Sequence, residues 1–227
     1  MEHGEEVTVK RLEQLYAAQA TRRIGEHQEQ TGIWKHPIPQ AVVDAQGIRG
    51  DIQFDRRVHG GVDKALHQYA VSSYARLQQA FPALAAQIVV GSMGENLTVA
   101  GMDEANVHIG DVYRIGTVTL QVSQPRNPCW KINSKFDDER LAKFIAGEFI
   151  HGWYYRVLEA GVMQVGDAME LIERPNAISV RQFLQVYAEH RPPLDALEAL
   201  AACVGLNAGW RGKLEQRLGF LRGLAGE

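Results

Sequence analysis

Up to about residue 175 the apolar residues come in short runs cut by glycine, and this punctuation restricts the fold more than any other feature. AVVDAQGIRGD, VHIGDVYRIG, TVTLQVSQP, YYRVLEAG and MQVGDAMELIE all follow it, with Gly-Asp and Gly-Gly pairs among them and between them. Alternation is clearest in Thr117–Val122, where β-branched and apolar residues suit a half-buried strand. Many short strands with turn signals between them predict a closed or nearly closed β-barrel. Val107-His-Ile-Gly-Asp-Val and Met163-Gln-Val-Gly-Asp-Ala share one phrase, a Gly-Asp turn before an apolar strand, although two such matches arise easily by chance.

Helical periodicity interrupts the β pattern twice. SYARLQQAF brings Tyr74, Leu77 and Phe81 to one side, with Ser72 or Ser73 as a cap and Pro82 as the stop. Glu139 to Phe149 give a second helical register. After Pro175 three amphipathic patterns follow, SVRQFLQVYAEH, DALEALAACVGL and RGKLEQRLGFL, with Ser179 and Asp195 as N-caps. The fold class expected is therefore mainly β within α+β. A β-barrel with peripheral helices takes residues 1–175, and a small three-helix bundle takes residues 176–227. At about 50 residues such a bundle is marginal alone, so it should dock on the barrel or on a second subunit, as in a homodimer.

With 45% apolar and 22% charged residues the chain can bury a real core. A formal charge of −3 gives no reason to expect a nucleic-acid polymer or an anionic membrane as partner. No apolar run approaches the roughly 18–20 residues a bilayer requires. The acidic start MEHGEEVTVKRLEQLY lacks the apolar stretch of a secretory signal, so a cytoplasmic location is expected. Two cysteines in unlike contexts, Cys129 and Cys203, argue against a disulfide and against a thiolate zinc cluster.

Three segments can carry chemistry. Cys129 lies in VSQPRNPCWKI, where a strand ending at Ser123 and the prolines Pro125 and Pro128 put it on a rigid loop. Loops at strand ends are where barrels place functional groups. Arg126 before it and Lys131 after it favour the thiolate, which attacks electrophiles or ligates metals. The plain alternative, a small buried hydrophobe, fits Cys203 in the alanine-rich stripe LEALAACVGL. In RRVHGGVDKALHQY, Gly60 and Gly61 let a ligand approach backbone N–H groups. His59, Lys64 and His67, with Arg56 and Arg57, add cations, and together these make an anion site. A turn with solvated charges is the plain alternative. In SMGENLTVAGMDE, Asn96 offers a donor and an acceptor to a heterocycle edge, or simply forms a turn.

Taken together these segments resemble the MOSC family, in the YiiM-like branch that carries an added C-terminal three-helix domain. TGIWKHPI, GIRGDIQFDRRVHGGVDKALHQY, GENLTVAGM, VHIGDVYRIG, LQVSQPRNPCWKI, GWYYRVLEAG and VGDAMELIERP occur in the family's order, roughly over residues 24–175. VHGGVDKA combined with SQPRNPCWK is the specific part, and the C-terminal helices match in kind more than in motif. The resemblance implies a molybdenum–pterin cofactor whose protein ligand is Cys129. It also implies a pocket for the pterin phosphate built from His59, Gly60, Gly61, Lys64, Arg126 and Lys35. Relatives are linked to reducing N-hydroxylated bases such as 6-N-hydroxylaminopurine to amines. On that reading His59 is the candidate proton donor. The chain has no GxGxxG fingerprint for a flavin or a nicotinamide, so electrons are expected from a separate reductase. Two rivals share the pocket: a non-catalytic carrier of molybdenum cofactor or cysteine-bound sulfur, and metal-free nucleophilic catalysis by Cys129 with His59 as base.

Overall fold

The computed structural model describes residues 9–54 and 60–225. The described chain opens with β1 (Leu12–Ala17), β2 (Arg22–Ile24), β3 (Glu29–Thr31), β4 (His36–Ile38), β5 (Gln40–Asp44) and β6 (Gly47–Ile48). Next come β7 (Leu66–Gln68), α1 (Val71–Ala80), β8 (Leu97–Val99), β9 (Val112–Ile115) and β10 (Val118–Pro125). Two short helices, α2 (Trp130–Phe136) and α3 (Leu141–Gly147), precede β11 (Trp153–Glu159), β12 (Gly161–Gln164) and β13 (Met169–Glu173). Then follow α4 (Val180–Ala188), α5 (Leu194–Ala202) and α6 (Ala208–Ala225).

The principal sheet has the order β13-β9-β10-β11-β7-β8-β1-β4. Its ladders are antiparallel except for the contact of β7 with β8. The Thr117–Val122 alternation becomes the first part of β10, with Val118, Leu120 and Val122 fully buried. Their period of two turns one face to the core. The expected barrel does not close. β4 pairs with the Leu15–Ala17 half of β1, which leaves the other end to meet the chain before β13. That meeting is a single Arg11–Ala168 bridge with bonds from Leu12 N to Asp167 O (2.9 Å) and from Gly166 N to Leu12 O (2.8 Å).

The two Gly-Asp phrases prove to be matching turns. Asp111 Oδ2 accepts the His108 N–H at 2.9 Å, and Asp167 Oδ2 accepts the Gln164 N–H at 2.8 Å. Each turn delivers a strand, β9 and β13, and these two strands pair with each other.

One apolar cluster runs from the sheet into the C-terminal helices: Leu15, Leu120 and Trp153 belong to it together with Phe183, Leu200 and Trp210. Backbone bonds bind the same surfaces, Val180 N to Val107 O at 2.8 Å and Asn207 N to Ser123 O at 2.9 Å. A second cluster joins Tyr74 and Leu77 of α1 to Ile132 and Phe136 of α2 and to Leu141 and Ile145 of α3.

Local expectations are met unevenly. Ser179 caps α4 in a reciprocal capping box with Gln182. Asp195 lies inside the first turn of α5, because Pro193, whose ring suits the extended φ of −54°, takes the cap position. Neither Ser72 nor Ser73 caps α1; Ala70 precedes it without a side-chain cap. β10 does not stop at Ser123 but continues to Pro125, opposite Trp153. β9 pairs no further than Gln121, so a residue without an N–H breaks no ladder bond there.

Candidate functional site

Where β10 ends, the chain turns into α2 at the rim of a cleft whose wall includes Lys35, Lys64, Arg126 and Cys129. Cys129 is the N-cap residue of α2, in extended conformation and with no side-chain capping bond, so its sulfur is not used to start the helix. The thiol is partly exposed and lines the cleft. The two prolines point to the loop that ends at Cys129 but not to the helix that follows; Ile132 and Phe136, one turn apart in WKINSKF, are the signal for that helix. Buried in the second apolar cluster, those two side chains fix α2 and with it the position of Cys129.

The hairpin of β2 and β3 fences the same rim. Gly25 has φ +72°, and a Cβ there would lie 2.6 Å from the ring of Trp130, so only glycine lets the hairpin tip meet this side chain. Lys131 reaches the hairpin too, with Nζ 3.7 Å from Glu29 Oε2.

Arg126 is the most telling group on the wall. It is 6% exposed, and its backbone is bonded on both sides: N–H to Gly152 O at 3.0 Å, and O from His151 Nδ1 at 2.8 Å. Its Nη1 is buried without a hydrogen-bond partner, and the guanidinium has no ion pair among the described residues. A buried N–H left unmatched is costly, and an anion in the cleft is the natural complement of a guanidinium.

Lys35 also faces the cleft, but it arrives already paired. Asp51, with its side chain 1% exposed, accepts from Lys35 Nζ at 2.7 Å, from Ala18 N–H at 2.7 Å and from Asn96 Nδ2 at 2.8 Å. Asn96 spends its other groups on the frame as well: Nδ2 donates to Tyr16 O at 3.1 Å and Oδ1 accepts the His67 N–H at 3.1 Å. It lines the cleft as a strut that joins β1, β7 and the approach to β8.

Lys64 also lines the cleft, at the end of a single 3-10 turn, Val62–Lys64. Burial lowers its pKa, Lys213 of α6 lowers it further, and Asp63 opposes both. Gly61, with φ +89°, sets that turn, yet neither Gly60 nor Gly61 is on the cleft's described wall. His59 lies outside the described residues, as do Arg56 and Arg57. His67 is not the cation the sequence suggested. Burial on β7, and then the charge of Arg126, hold its pKa well below the usual value, so the ring is neutral.

Tyr154 was missed altogether. It pairs with His67 across β11 and β7, and their rings lie 5.3 Å apart. No local pattern marks it, because its role depends on a strand pairing between distant segments. Phe54, exposed at the rim, adds a second aromatic face. Behind the wall, Glu104 is fully buried and accepts the Gly152 N–H at 2.7 Å, with burial pushing its carboxyl up to about 7.

Residues 55–170 match the MOSC domain. Protein YiiM of Escherichia coli (strain K12) is 35% identical over 172 residues, covering 75% of this chain and 76% of that protein. A Gibberella moniliformis (strain M3125 / FGSC 7600) protein named Reductase is 40% identical over 132 residues, covering 58% of this chain and 23% of that protein. The crystal structure of YiiM from Geobacillus stearothermophilus has a TM-score of 0.77 at 29% identity, covering 92% of this chain and 99% of that chain. A partly exposed thiol and a buried guanidinium share this cleft, and the domain match, the identity and the shared fold show that the chain belongs to the MOSC domain family.

Proposed function

We propose that the cleft holds a molybdenum–pterin cofactor and that the protein reduces N-hydroxylated bases to amines with electrons from a separate reductase. The observation that carries this reading is the unpartnered, buried Nη1 of Arg126 in the same cleft as the accessible Cys129 thiol. The residues fit the group. A thiolate is a suitable ligand for a metal that tolerates soft donors, and Arg126 with Lys64 offers a phosphate two cations in a partly desolvated setting. Lys35 contributes less net charge, since Asp51 already matches it.

When bound, the cofactor supplies the two electrons that break the N–O bond. Each turnover consumes those electrons and two protons: the hydroxylamine nitrogen leaves as an amine and its oxygen as water. Within this scheme Cys129 holds the metal, while Arg126 and Lys64 hold the phosphate. Tyr154 and Phe54 give a planar base aromatic faces to lie against. His59 is the proposed proton donor. Membership of the family and the name Reductase of the fungal relative support an oxidoreductase.

The test is turnover. Cofactor-loaded protein, mixed with an electron-donating reductase and 6-N-hydroxylaminopurine, is expected to form the aminopurine, followed by chromatography. Loaded protein that forms none under these conditions would refute reduction and leave the carrier role.

A further inference from the structure

We infer that the C-terminal helical unit positions the anion-binding side of the cleft: Asn207, at the entry to α6, holds Asp63 and so sets where its neighbour Lys64 stands. The inference rests on the reading of the cleft as an oxyanion site.

Asn207 is engaged in three directions. Its Oδ1 accepts from Gly209 N–H at 2.8 Å and Trp210 N–H at 3.2 Å, which starts α6. Its backbone N–H donates to Ser123 O on β10 at 2.9 Å. Its Nδ2 donates to Asp63 Oδ2 at 2.5 Å. The helix end that carries Asn207 is itself fixed, because the buried Trp210 packs edge-on against Phe183 at 5.2 Å and Tyr187 at 4.8 Å.

Asp63 is held from the sheet as well. Its Oδ1 accepts from Arg156 Nε at 2.8 Å and Nη2 at 2.7 Å, and its carbonyl lies 2.5 Å from Ser123 Oγ. Three elements therefore converge on one residue of a single 3-10 turn. Lys64 is the next residue in that turn, with its own N–H donating to Gly61 O at 2.9 Å. A turn of three residues has little hydrogen bonding of its own to hold a shape, so these outside contacts define where the Lys64 backbone sits. Lys213, on the same α6, raises the positive potential felt at Lys64. The helical unit thus supplies both the clamp and part of the field.

Asn207→Ser separates positioning from helix stability, because serine still caps α6 but cannot reach Asp63 with an amide. The probe is inorganic phosphate, titrated calorimetrically into cofactor-free, full-length protein: wild type, Asn207→Ser, Lys64→Ala and the double variant. Asn207→Ser is expected to weaken phosphate binding about three- to tenfold in the wild-type background and to have no effect in the Lys64→Ala background. Its thermal midpoint should stay near the wild-type value. Wild-type affinity in Asn207→Ser, or the same loss in both backgrounds, would overturn the inference and leave Asn207 a helix cap only. Equal phosphate binding by wild type and Lys64→Ala would instead overturn the oxyanion reading, and this inference with it.

Discussion

Cys129→Ala protein made in a host that synthesises the cofactor is expected to retain less than about a tenth of the wild-type molybdenum, since loss of a supporting residue alone typically costs 10–100-fold in metal affinity. The substitution should leave the fold intact. Cys129 makes no side-chain capping bond, and the helix it precedes is anchored by Ile132 and Phe136. Cys203 cannot take its place. It is 2% exposed in the C-terminal core, its sulfur lies 3.5 Å from Ala199 O, and burial pushes its thiol up to about 11. Cys203→Ala should therefore keep its metal. Elemental analysis of the two purified variants decides the matter, and unchanged molybdenum in Cys129→Ala would refute the ligand role.

Asp51→Ala should lower stability by about 3–5 kcal/mol in urea unfolding, the range for breaking a buried ion pair from one side. The carboxylate is the common acceptor for Lys35, the Ala18 N–H and Asn96 Nδ2. Without it Lys35, 8% exposed, is left as an uncompensated cation whose pKa burial already depresses, and Asn96 loses one of its fixed partners. Replacing both charges, Lys35→Met with Asp51→Leu, should recover much of the loss. A cost below about 1 kcal/mol for Asp51→Ala would mean that Lys35 turns into the cleft and is solvated there, within the range of a surface pair.

The parts of this protein legible in its sequence are those written in local chemistry. The Gly-Asp turns announce β9 and β13, the alternation of Thr117–Val122 announces β10, and Ser179 announces α4. The proline-flanked Cys129 could be singled out because its neighbours along the chain are also its neighbours on the wall. What stayed hidden depends on contacts between distant segments. Asn96 read equally well as a turn former or a heterocycle partner, and it is a strut because Tyr16, Asp51 and His67 come to it from elsewhere. His67 read as a cation because exposure cannot be judged from RRVHGGVDKALHQY; burial on β7 makes it neutral. Barrel closure failed for a similar reason, since nothing in HPI says that β4 will take half of β1. Asn207 is hidden in the same way, since only its contact with the distant Asp63 ties it to the cleft.

Molybdenum and oxidised-pterin fluorescence, measured on one sample of wild-type protein from a host that makes the cofactor, bear most directly on the cleft's occupant. Both signals are expected together, at about one of each per folded chain, as a single-thiolate site would hold them. Folded protein from that host carrying neither would contradict the assignment of Cys129 and Arg126 to a molybdenum–pterin group.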